Sequence, residues 1–378
     1  MDTLANSPNA TADDVLRADL AHLHGSLGDE LRALARSRLL ITGGAGFLGY
    51  YLVQVITSWN SRAARADRID LTVWDSFFRG APRWLEALQG SDGLRIEQVN
   101  LAEPLPGEHE PFDWVIHAAG IASPTVYRKY PLETIDANIN GIRNLLEWGR
   151  RQAEGGRPLR GFLFYSSSEI YGDPTPDAIP TPETYRGNVS CTGPRACYDE
   201  SKRFGETLAT IYARHHGLPV TVARPFNNYG PGLKITDGRV IPDFARCILE
   251  GRDIVMHSDG SPTRTFCYTA DAVAGYYKTL VKGRPGEAYN VGVEVPEVSM
   301  RDLAGRLRDL GRELFGYGGK VITAPSAEAD YLVDNPNRRR PVIDKARAEL
   351  GYAPSIGLDE GLRRTLIWYD QNRTAAEG

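Results

Sequence analysis

From Arg38 onwards, short apolar runs alternate with stretches that carry apolar residues at helical spacing. A bounded run of about four to eight apolar residues predicts a buried strand, and apolar residues three and four apart predict a helix packed on it. Strand, helix and strand in that rhythm are typical of a parallel sheet with helices on both faces. The pattern predicts a doubly wound α/β fold, from the segments RLLIT, FLGYYLVQVITSW, IDLTVWD, LRIEQVN, FDWVIHAAG, ETIDANINGIRNLLEWGRR and GFLFYSSS.

Both ends of the chain depart from this alternation. Residues 1–37 hold amphipathic helical segments interrupted at glycines, which predicts a helical extension before the main fold. We expect residues 38–230 to form the doubly wound domain. Beyond it the alternation weakens, with helical segments near 237–250 and 299–315. Residues 231–378 are therefore expected to be mainly a smaller substrate-binding lobe, interleaved with the first domain.

The composition narrows the class of protein. Of 378 residues, 42% are hydrophobic and 24% are charged, which is ordinary for a globular protein with a large core. A formal charge of -4 gives no field that would attract nucleic acid or anionic lipid, so neither partner is expected. Four cysteines without paired spacing predict neither disulfides nor a metal cage. With no signal sequence and no apolar run of about 20 residues, we expect a cytoplasmic protein without a bound metal.

A glycine-rich turn directly follows the first predicted strand. In TGGAGFLG, Gly43, Gly46 and Gly49 are spaced three apart. Residues without a Cβ atom let backbone amides approach a pyrophosphate, and the positive N-terminus of the next helix then faces that anion. The turn predicts a Rossmann-type, dinucleotide-binding domain. An ordinary glycine turn is the alternative interpretation.

The second predicted strand ends in an acid, Asp75. An acid at this place accepts hydrogen bonds from both ribose hydroxyls of adenosine and repels a 2′-phosphate, which favours NAD over NADP. Arg79 follows closely, and a cation there can accommodate the phosphate instead. A residue that only ends the strand is the other interpretation of Asp75.

Tyr198 and Lys202 are four residues apart in a stretch with helical apolar spacing, so they share one face of a helix. A tyrosine with a pKa of about 10 becomes a base near neutral pH only if its phenolate is stabilised by about 4 kcal/mol. A neighbouring ammonium group and a positively charged nicotinamide can supply that stabilisation. Upstream, Ser167 stands in a serine run at a strand end, where it is placed to hydrogen-bond the reacting hydroxyl. A serine run that merely ends a strand is the alternative.

The order of these motifs resembles one enzyme family. The segments SSSEIYGDP (166–174) and GPRACYDESKR (193–203) are similar to those of UDP-glucuronate decarboxylases, the UDP-xylose synthase family of extended short-chain dehydrogenase/reductases. The likeness runs from about residue 38 to residue 369. Further similar stretches are DSFFRG, HAA, ASP, ARPFNNYGP, DGRV, TRTF and DNPNRRRP.

The resemblance implies an NAD-dependent reaction on a nucleotide sugar, UDP-glucuronate, to give UDP-xylose. NAD would remove hydride from carbon 4 of the hexuronic acid, the β-keto acid would lose carbon dioxide, and NADH would return the hydride. No metal is required, because a ketone two carbons from the carboxylate is itself the electron sink. The family also pairs through two helices from each subunit, which implies a homodimer.

Roles for individual residues follow from the same resemblance. Tyr198 is the base at the 4-hydroxyl, Lys202 tunes it and holds the nicotinamide ribose, and Ser167 binds the same hydroxyl. Residues of the decarboxylation step are Ser168, Glu169 and Arg339, the last of which steadies or protonates the enediolate. Cofactor-binding residues are Gly43, Gly46, Phe47, Leu48, Gly49, Asp75, Tyr198 and Lys202. Substrate-binding residues are Tyr127, Asn227, Val240, Arg264 and Arg339, where arginine suits phosphate oxygens because its planar fork binds them in pairs.

Two neighbouring activities and one non-catalytic role remain as alternatives. The 4,6-dehydratases carry an aspartate, to protonate the leaving 6-hydroxyl, where this chain has Ser168, and the 4-epimerases generally lack the acid that Glu169 provides. A redox sensor or scaffold would not need Tyr198 and Lys202. The pair His215-His216 resembles metal ligands, but no third ligand with suitable spacing follows, so a surface helix end is expected.

The chain also departs from the family pattern. Arg186 and Asn188 stand where the family has a tryptophan and a histidine, Pro262 replaces a glutamine, and Val342 replaces an acid. We expect these changes to lie around the sugar and the nucleotide, where they bear on the identity of the hexuronate or the base. Residues 1–37 have no obvious counterpart in short bacterial members, and whether they reinforce the dimer is an open question at this point.

Overall fold

The computed structural model describes residues 10–105, 110–326 and 333–373. Within them the strands are β1 (Arg38–Thr42), β2 (Asp70–Asp75), β3 (Leu94–Gln98), β4 (Trp114–His117), β5 (Gly161–Tyr165), β6 (Val220–Pro225), β7 (Asn228–Tyr229), β8 (Ile254–Met256), β9 (Thr263–Arg264), β10 (Cys267–Tyr268), β11 (Ala288–Val291), β12 (Val298–Ser299), β13 (Val321–Thr323) and β14 (Arg338–Arg339). The helices are α1 (Ala12–Ser26), α2 (Gly28–Leu34), α3 (Gly49–Asn60), α4 (Arg83–Glu86), α5 (Pro124–Lys129), α6 (Pro131–Glu154), α7 (Ala196–His216), α8 (Val240–Leu249), α9 (Thr269–Lys282), α10 (Met300–Phe315), α11 (Asp344–Leu350) and α12 (Leu358–Gln371).

A seven-stranded parallel sheet forms the centre of the molecule, in the order β11-β6-β5-β4-β1-β2-β3. The predicted doubly wound, Rossmann-type α/β fold is confirmed, and the five predicted strands are β1 to β5. The strand order reverses between β1 and β4, and the loops that leave these two strands diverge there. Such a switch point leaves a crevice outside the carboxyl ends of the strands.

Side chains of the sheet alternate between two cores. On one face Leu39 and Ile41 of β1 pack with α3 and α9. On the other face Leu40 packs with α6, α7 and the β5 residues Phe162 and Phe164. Successive side chains of a strand point to opposite faces, and helices cover both faces, so β4 and β5 at the centre of the sheet are buried along their whole length.

The C-terminal part of the chain contributes both to the central sheet and to three small sheets. β11 forms one edge of the central sheet, β7 pairs with β10, β8 pairs with β13, and β9 lies between β12 and β14. In the last sheet Arg264 of β9 pairs in register with Arg339 of β14, so two arginines far apart in sequence stand side by side.

The helices before β1 are part of the core. α1 begins after Thr11, whose side chain caps the helix by accepting a hydrogen bond from the Asp14 amide. Its inner residues and those of α2 are fully buried, and α1 packs against α3, α9 and α12. The described part of the extension therefore lies on the face opposite to α6 and α7. Residues 1–9 of the predicted extension lie outside the described residues. Across the described chain, no helix combines the length and apolar character needed to cross a bilayer.

Candidate active site

One crevice at the switch point gathers the residues that the sequence singled out. Its cavity has a volume of about 970 Å³ and lies between the carboxyl ends of the central strands, the start of α8 and the small sheet of β9 and β14. Every residue predicted to bind cofactor, to bind substrate or to take part in catalysis lines it. The structure brings these residues together, while their individual roles stay predictions. In the described ranges, no three histidine, cysteine or acidic side chains converge as a metal site.

The glycine turn after β1 is packed too tightly for side chains. Gly43 has a φ of +72°, and a Cβ atom there would lie 2.5 Å from the backbone of Ala119. A Cβ atom on Gly49 would lie 2.1 Å from the carbonyl oxygen of Gly44. The turn therefore holds the start of α3 against β4 and leaves Gly46 at the crevice. This arrangement fits a dinucleotide, whose pyrophosphate would face the N-terminus of α3.

Asp75 ends β2 at the rim of the crevice, as the sequence predicted. Its two carboxylate oxygens accept hydrogen bonds from the amides of Phe77 at 2.8 Å and Ala45 at 3.0 Å, which fix the orientation of the group. Burial raises the pKa of the Asp75 carboxyl, against the effect of these hydrogen bonds. Arg79, the possible partner of a 2′-phosphate, is instead paired with buried Asp237 at 3.0 Å. The geometry favours NAD over NADP.

Tyr198, Lys202 and Ser167 meet at the centre of the crevice, and all three are buried. The first two residues lie in the first turns of α7, and the Ser167 side chain hydrogen-bonds with the Tyr198 hydroxyl. Lys202 donates a hydrogen bond from Nζ to the Tyr165 carbonyl oxygen at 2.9 Å, and Nζ lies 5.9 Å from the centre of the Tyr198 ring. The structure therefore brings the predicted serine, tyrosine and lysine together.

Burial opposes the charged forms of both Tyr198 and Lys202. It raises the pKa of Tyr198 to about 12, against the effect of the Ser167 hydrogen bond. It lowers the pKa of the Lys202 ammonium group to about 8. The lysine alone therefore does not produce a phenolate near neutral pH. A second positive charge beside the ring is needed, and an oxidised nicotinamide is of the right charge for it.

Glu169 is held between two arginines next to this centre. Its carboxylate accepts a hydrogen bond from Arg195 and two from Arg339, one of them at 2.7 Å. Burial alone would raise the pKa of the Glu169 carboxyl, but the charges of Arg195 and Arg339 outweigh burial and hold the pKa well below its usual range. Glu169 is therefore an anion, and its neighbour Ser168 is buried beside it. We call this group of three charged residues the Glu169 clamp.

The far end of the crevice offers positive and partly positive groups. Arg264 donates hydrogen bonds to nearby backbone carbonyls, and burial together with the charge of Arg339 lowers the pKa of its guanidinium to about 9. Asn227 donates from Nδ2 to the Thr265 carbonyl oxygen at 2.9 Å. Val240 opens α8, and no side chain caps the N-terminus of that helix. Unbonded amides at a helix N-terminus attract anions, which fits a diphosphate at this end.

Two charged residues of the site were not singled out from the sequence. Arg195 holds Glu169 and lies 6.0 Å from the ring of Tyr127, which stacks on Tyr198 with centroids 5.2 Å apart. Asp199 is buried in the first turn of α7, which begins directly after Arg195. The sequence shows these two residues as an arginine and an aspartate four positions apart at a helix start. That spacing normally indicates an ion pair on the helix surface, so it does not point to an active site.

Comparison with known proteins agrees with this geometry. Residues 39–292 match the NAD dependent epimerase/dehydratase family. UDP-glucuronic acid decarboxylase 1 of Xenopus tropicalis is 36% identical over 334 residues, which cover 88% of this chain and 72% of that protein. UDP-glucuronic acid decarboxylase 3 of Arabidopsis thaliana is 36% identical over 328 residues, which cover 86% of each chain. The chain belongs to the UDP-glucuronic acid decarboxylase family.

Solved structures related to this family share the fold. The dTDP-glucose 4,6-dehydratase DesIV of Streptomyces venezuelae, determined with NAD bound, is 26% identical with a TM-score of 0.73, over 89% of this chain and 98% of that chain. An epimerase of Methanothermobacter thermautotrophicus is 24% identical with a TM-score of 0.76, over 93% of this chain and 98% of that chain. The second likeness supports the fold alone.

The departures from the family pattern are not all at the crevice, as the sequence had suggested. Pro262 lines it. Arg186 and Asn188 are exposed instead. Their loop pairs with Gly172 through a β-bridge at Asn188. The backbone amide of Val342 donates a hydrogen bond to the carbonyl oxygen of Thr181. None of these three residues lines the crevice, so the expectation was wrong for them. Arg186 and Asn188 lie in the exposed loop before α7, and the segment of Val342 follows β14 and pairs with the backbone of Thr181.

Proposed function

We propose that this protein is an NAD-dependent decarboxylase that converts UDP-glucuronate into UDP-xylose through a 4-keto intermediate. The observation that carries the proposal is the Glu169 clamp, with Ser168 beside it, in the same crevice as Tyr198 and Lys202. A 4,6-dehydratase needs an acid at the place of Ser168 to protonate its leaving group, and a serine hydroxyl is too weak an acid for that step. Relatives 36% identical are named for the proposed activity.

The cofactor of this reaction is NAD, and the chain fits its pyrophosphate and its adenosine ribose. The glycine turn accepts the pyrophosphate, and Asp75 accepts the ribose hydroxyls. When bound, NAD would supply a hydride acceptor for the oxidation at carbon 4 and, once reduced, a hydride donor for the final reduction. The protein's own part in the oxidation is to remove the proton of the 4-hydroxyl. Tyr198 takes that proton, Ser167 orients the hydroxyl, and Lys202 adds positive charge.

The decarboxylation needs groups that stabilise the negative charge developing on the oxygen at carbon 4. After oxidation, the bond between carbon 5 and the carboxylate breaks, carbon dioxide leaves, and the electron pair moves to the oxygen on carbon 4. Tyr198 and Ser167 hydrogen-bond that oxygen, and Arg339 stabilises the negative charge from its fixed place beside Glu169. Carbon 5 then takes up one proton and the ketone at carbon 4 forms again. When that ketone is reduced by the returned hydride, Tyr198 gives its proton back to the oxygen on carbon 4, which completes the pentose.

The direct test is the product formed from UDP-glucuronate with NAD. We expect carbon dioxide to be released and mass spectrometry to find a UDP-pentose. A product that keeps all six sugar carbons would overturn the proposal in favour of an epimerase or a dehydratase. Parallel incubations with other nucleotide hexuronates measure the preference for the base and the sugar.

Asp75→Ala should weaken NAD binding by about 10–100-fold, because a charge-assisted hydrogen bond contributes about 1.5–3 kcal/mol. Binding of NADP should change far less, since the substitution also removes the repulsion between the Asp75 carboxylate and the 2′-phosphate of NADP. Arg79→Ala is the control, and it should keep the preference for NAD because Arg79 is paired with Asp237. Fluorescence titration with both reduced cofactors measures the preference, and a loss of NAD selectivity only in Arg79→Ala would contradict the role of Asp75.

A homodimer paired through α6 and α7 is a further part of the proposal. Leu132, Phe204 and Ile211 are large apolar side chains on these helices, with 72%, 47% and 42% of their surface exposed. Phe204 and Ile211 are seven residues apart and therefore share one face of α7. The described part of the N-terminal extension packs on the opposite face of the sheet, so it leaves this surface open. The cytoplasmic location expected from the sequence stays a prediction.

Phe204→Asp should shift the protein to monomers. Burying a phenylalanine contributes about 1.5–3 kcal/mol, and symmetry counts it twice, so the dimer dissociation constant should rise by roughly 10²–10⁴-fold. Ile322→Asp, which changes an exposed apolar residue of β13, should not alter self-association. Analytical ultracentrifugation distinguishes the species, and a Phe204→Asp protein that sediments as the wild type would place the interface elsewhere.

A further inference from the structure

Asp199 is a buried carboxyl group directly behind the Glu169 clamp. It lies in the first turn of α7, and 5% of its surface is exposed. Its Oδ2 atom is 3.7 Å from Nε of Arg195, and within the described residues its Oδ1 atom has no hydrogen-bond partner. A carboxylate that is buried without hydrogen bonds is unfavourable. The place of Asp199 in the fold therefore favours a carboxyl group that can take up a proton.

The charged and titratable groups around Asp199 come from several elements. Burial and the negative charge of Glu169 raise the pKa of the Asp199 carboxyl to about 7, against the opposing charges of Arg195 and Arg339. The positive end of α7 also favours the anion, but it does not remove the cost of burial. The remaining groups that interact electrostatically with Asp199 are Tyr127, Asp334, Cys197 and Tyr198.

A further negative charge beside Glu169 favours the protonated form of Asp199. The guanidinium groups of Arg195 and Arg339 act on both carboxyl groups, and the charge of Arg264 acts on Glu169 although its hydrogen bonds go to backbone carbonyls. The carboxylate of a hexuronate that binds beside Glu169 is a like charge close to Asp199. At low effective dielectric constant, a like charge nearby disfavours a second anion, so binding raises the affinity of Asp199 for a proton.

We propose that Asp199 is a proton-linked positioning residue, which takes up one proton when a nucleotide sugar with a carboxylate binds and keeps Arg195 directed at Glu169. The identity of the ligand rests on the proposed decarboxylase function.

The number of protons consumed in the whole reaction cycle agrees with uptake of one proton by Asp199. Carbon dioxide leaves uncharged, carbon 5 gains one proton, and Asp199 ionises again once the added negative charge is gone. The proton taken up at binding thus equals the one that decarboxylation consumes.

Isothermal titration calorimetry of the NADH-loaded protein tests this, because NADH cannot oxidise carbon 4 and the ligand then binds without turnover. UDP-glucuronate is titrated at about pH 8 in buffers with different heats of ionisation, whose comparison gives the number of protons taken up. We expect most of one proton per site. UDP-glucose, which has an uncharged hydroxymethyl group in place of the carboxylate, should give almost no uptake.

Asp199→Asn is the matched variant, because the amide keeps the shape of the side chain and stays neutral. We expect it to bind UDP-glucuronate without proton uptake and with a constant Kd between about pH 7 and pH 9. The wild-type Kd should rise by up to about tenfold per pH unit above pH 7. The pH dependence of Kd in the wild type tests the proton link even without the variant. Binding of NADH by Asp199→Asn shows that the variant is folded.

The outcomes separate this inference from the proposed function. Binding of UDP-glucuronate without proton uptake in the wild type, or equal uptake in Asp199→Asn, would overturn the role of Asp199. Carbon dioxide release is measured independently with NAD. A protein that binds UDP-glucuronate with proton uptake but releases no carbon dioxide would support the proton link and refute the decarboxylase function. The absence of any binding would refute both.

Discussion

Tyr198→Phe should lower the turnover of UDP-glucuronate by about 10²–10⁴-fold, the usual contribution of a general base, while NAD binding stays close to wild type. The substitution removes the hydroxyl that Ser167 hydrogen-bonds and keeps the ring that stacks on Tyr127. That hydroxyl is the group that accepts the proton of the substrate's 4-hydroxyl in the proposed mechanism. Oxidation at carbon 4 should then become the slow step, and decarboxylation, which needs the ketone, should fall with it.

Tyr212→Phe is the matched control for this experiment. Tyr212 lies on the same helix, and its hydroxyl donates a hydrogen bond to Glu147 at 3.3 Å, away from the crevice. We expect its turnover to equal that of the wild type. Stopped-flow absorbance of NADH during a single turnover measures the oxidation step in both variants. Full turnover in Tyr198→Phe would show that another group removes the proton.

Asp19→Ala should lower the free energy of unfolding by about 3–5 kcal/mol, because it removes the buried carboxylate that pairs with Arg364 and leaves two buried tyrosine hydroxyls without their acceptor. Asp19 is fully buried in α1, and its carboxylate accepts hydrogen bonds from Nη1 of Arg364 at 2.5 Å, from the Tyr268 hydroxyl at 2.6 Å and from the Tyr51 hydroxyl. These partners lie on α12, β10 and α3. The group therefore attaches the N-terminal extension to three parts of the main fold.

The control for Asp19→Ala is Asp29→Ala. Asp29 pairs with Arg32 on the surface of α2, and its side chain is 76% exposed. Surface pairs of this kind contribute about 0–1 kcal/mol. Urea denaturation followed by circular dichroism gives both free energies. Equal effects of the two substitutions would show that the Asp19 group does not stabilise the fold.

Local sequence patterns were sufficient for the fold and for the centre of the site. The apolar runs predicted β1 to β5, and parallel strands bring their carboxyl ends to one edge of a sheet. Gly43, Asp75, Ser167 and Tyr198 were each recognisable from their place after a strand or on a helix, and all four line the crevice. For these residues, chemistry and position along the chain were enough.

Features that depend on long-range packing were not predictable. α9 is buried on nearly every side, so its sequence carries no polar face to mark it as a helix. Asp19 reads as a surface residue of an amphipathic helix, because its partner Arg364 is 345 residues away. The acidic group of Asp199 likewise becomes unusual only when Glu169 and Arg195 are placed beside it. The partners that decide these two cases, Arg364 and Glu169, are far from Asp19 and Asp199 along the chain, so local sequence patterns do not reveal them.

UDP-glucuronate that carries deuterium at carbon 4 gives the most direct test of the central claim, that this crevice oxidises carbon 4, removes carbon dioxide and returns the same hydride. With the NAD-loaded protein, we expect mass spectrometry to find a UDP-pentose that has lost the carboxyl carbon and kept the deuterium. A product that retains the carboxyl carbon, or a pentose without deuterium, would contradict it.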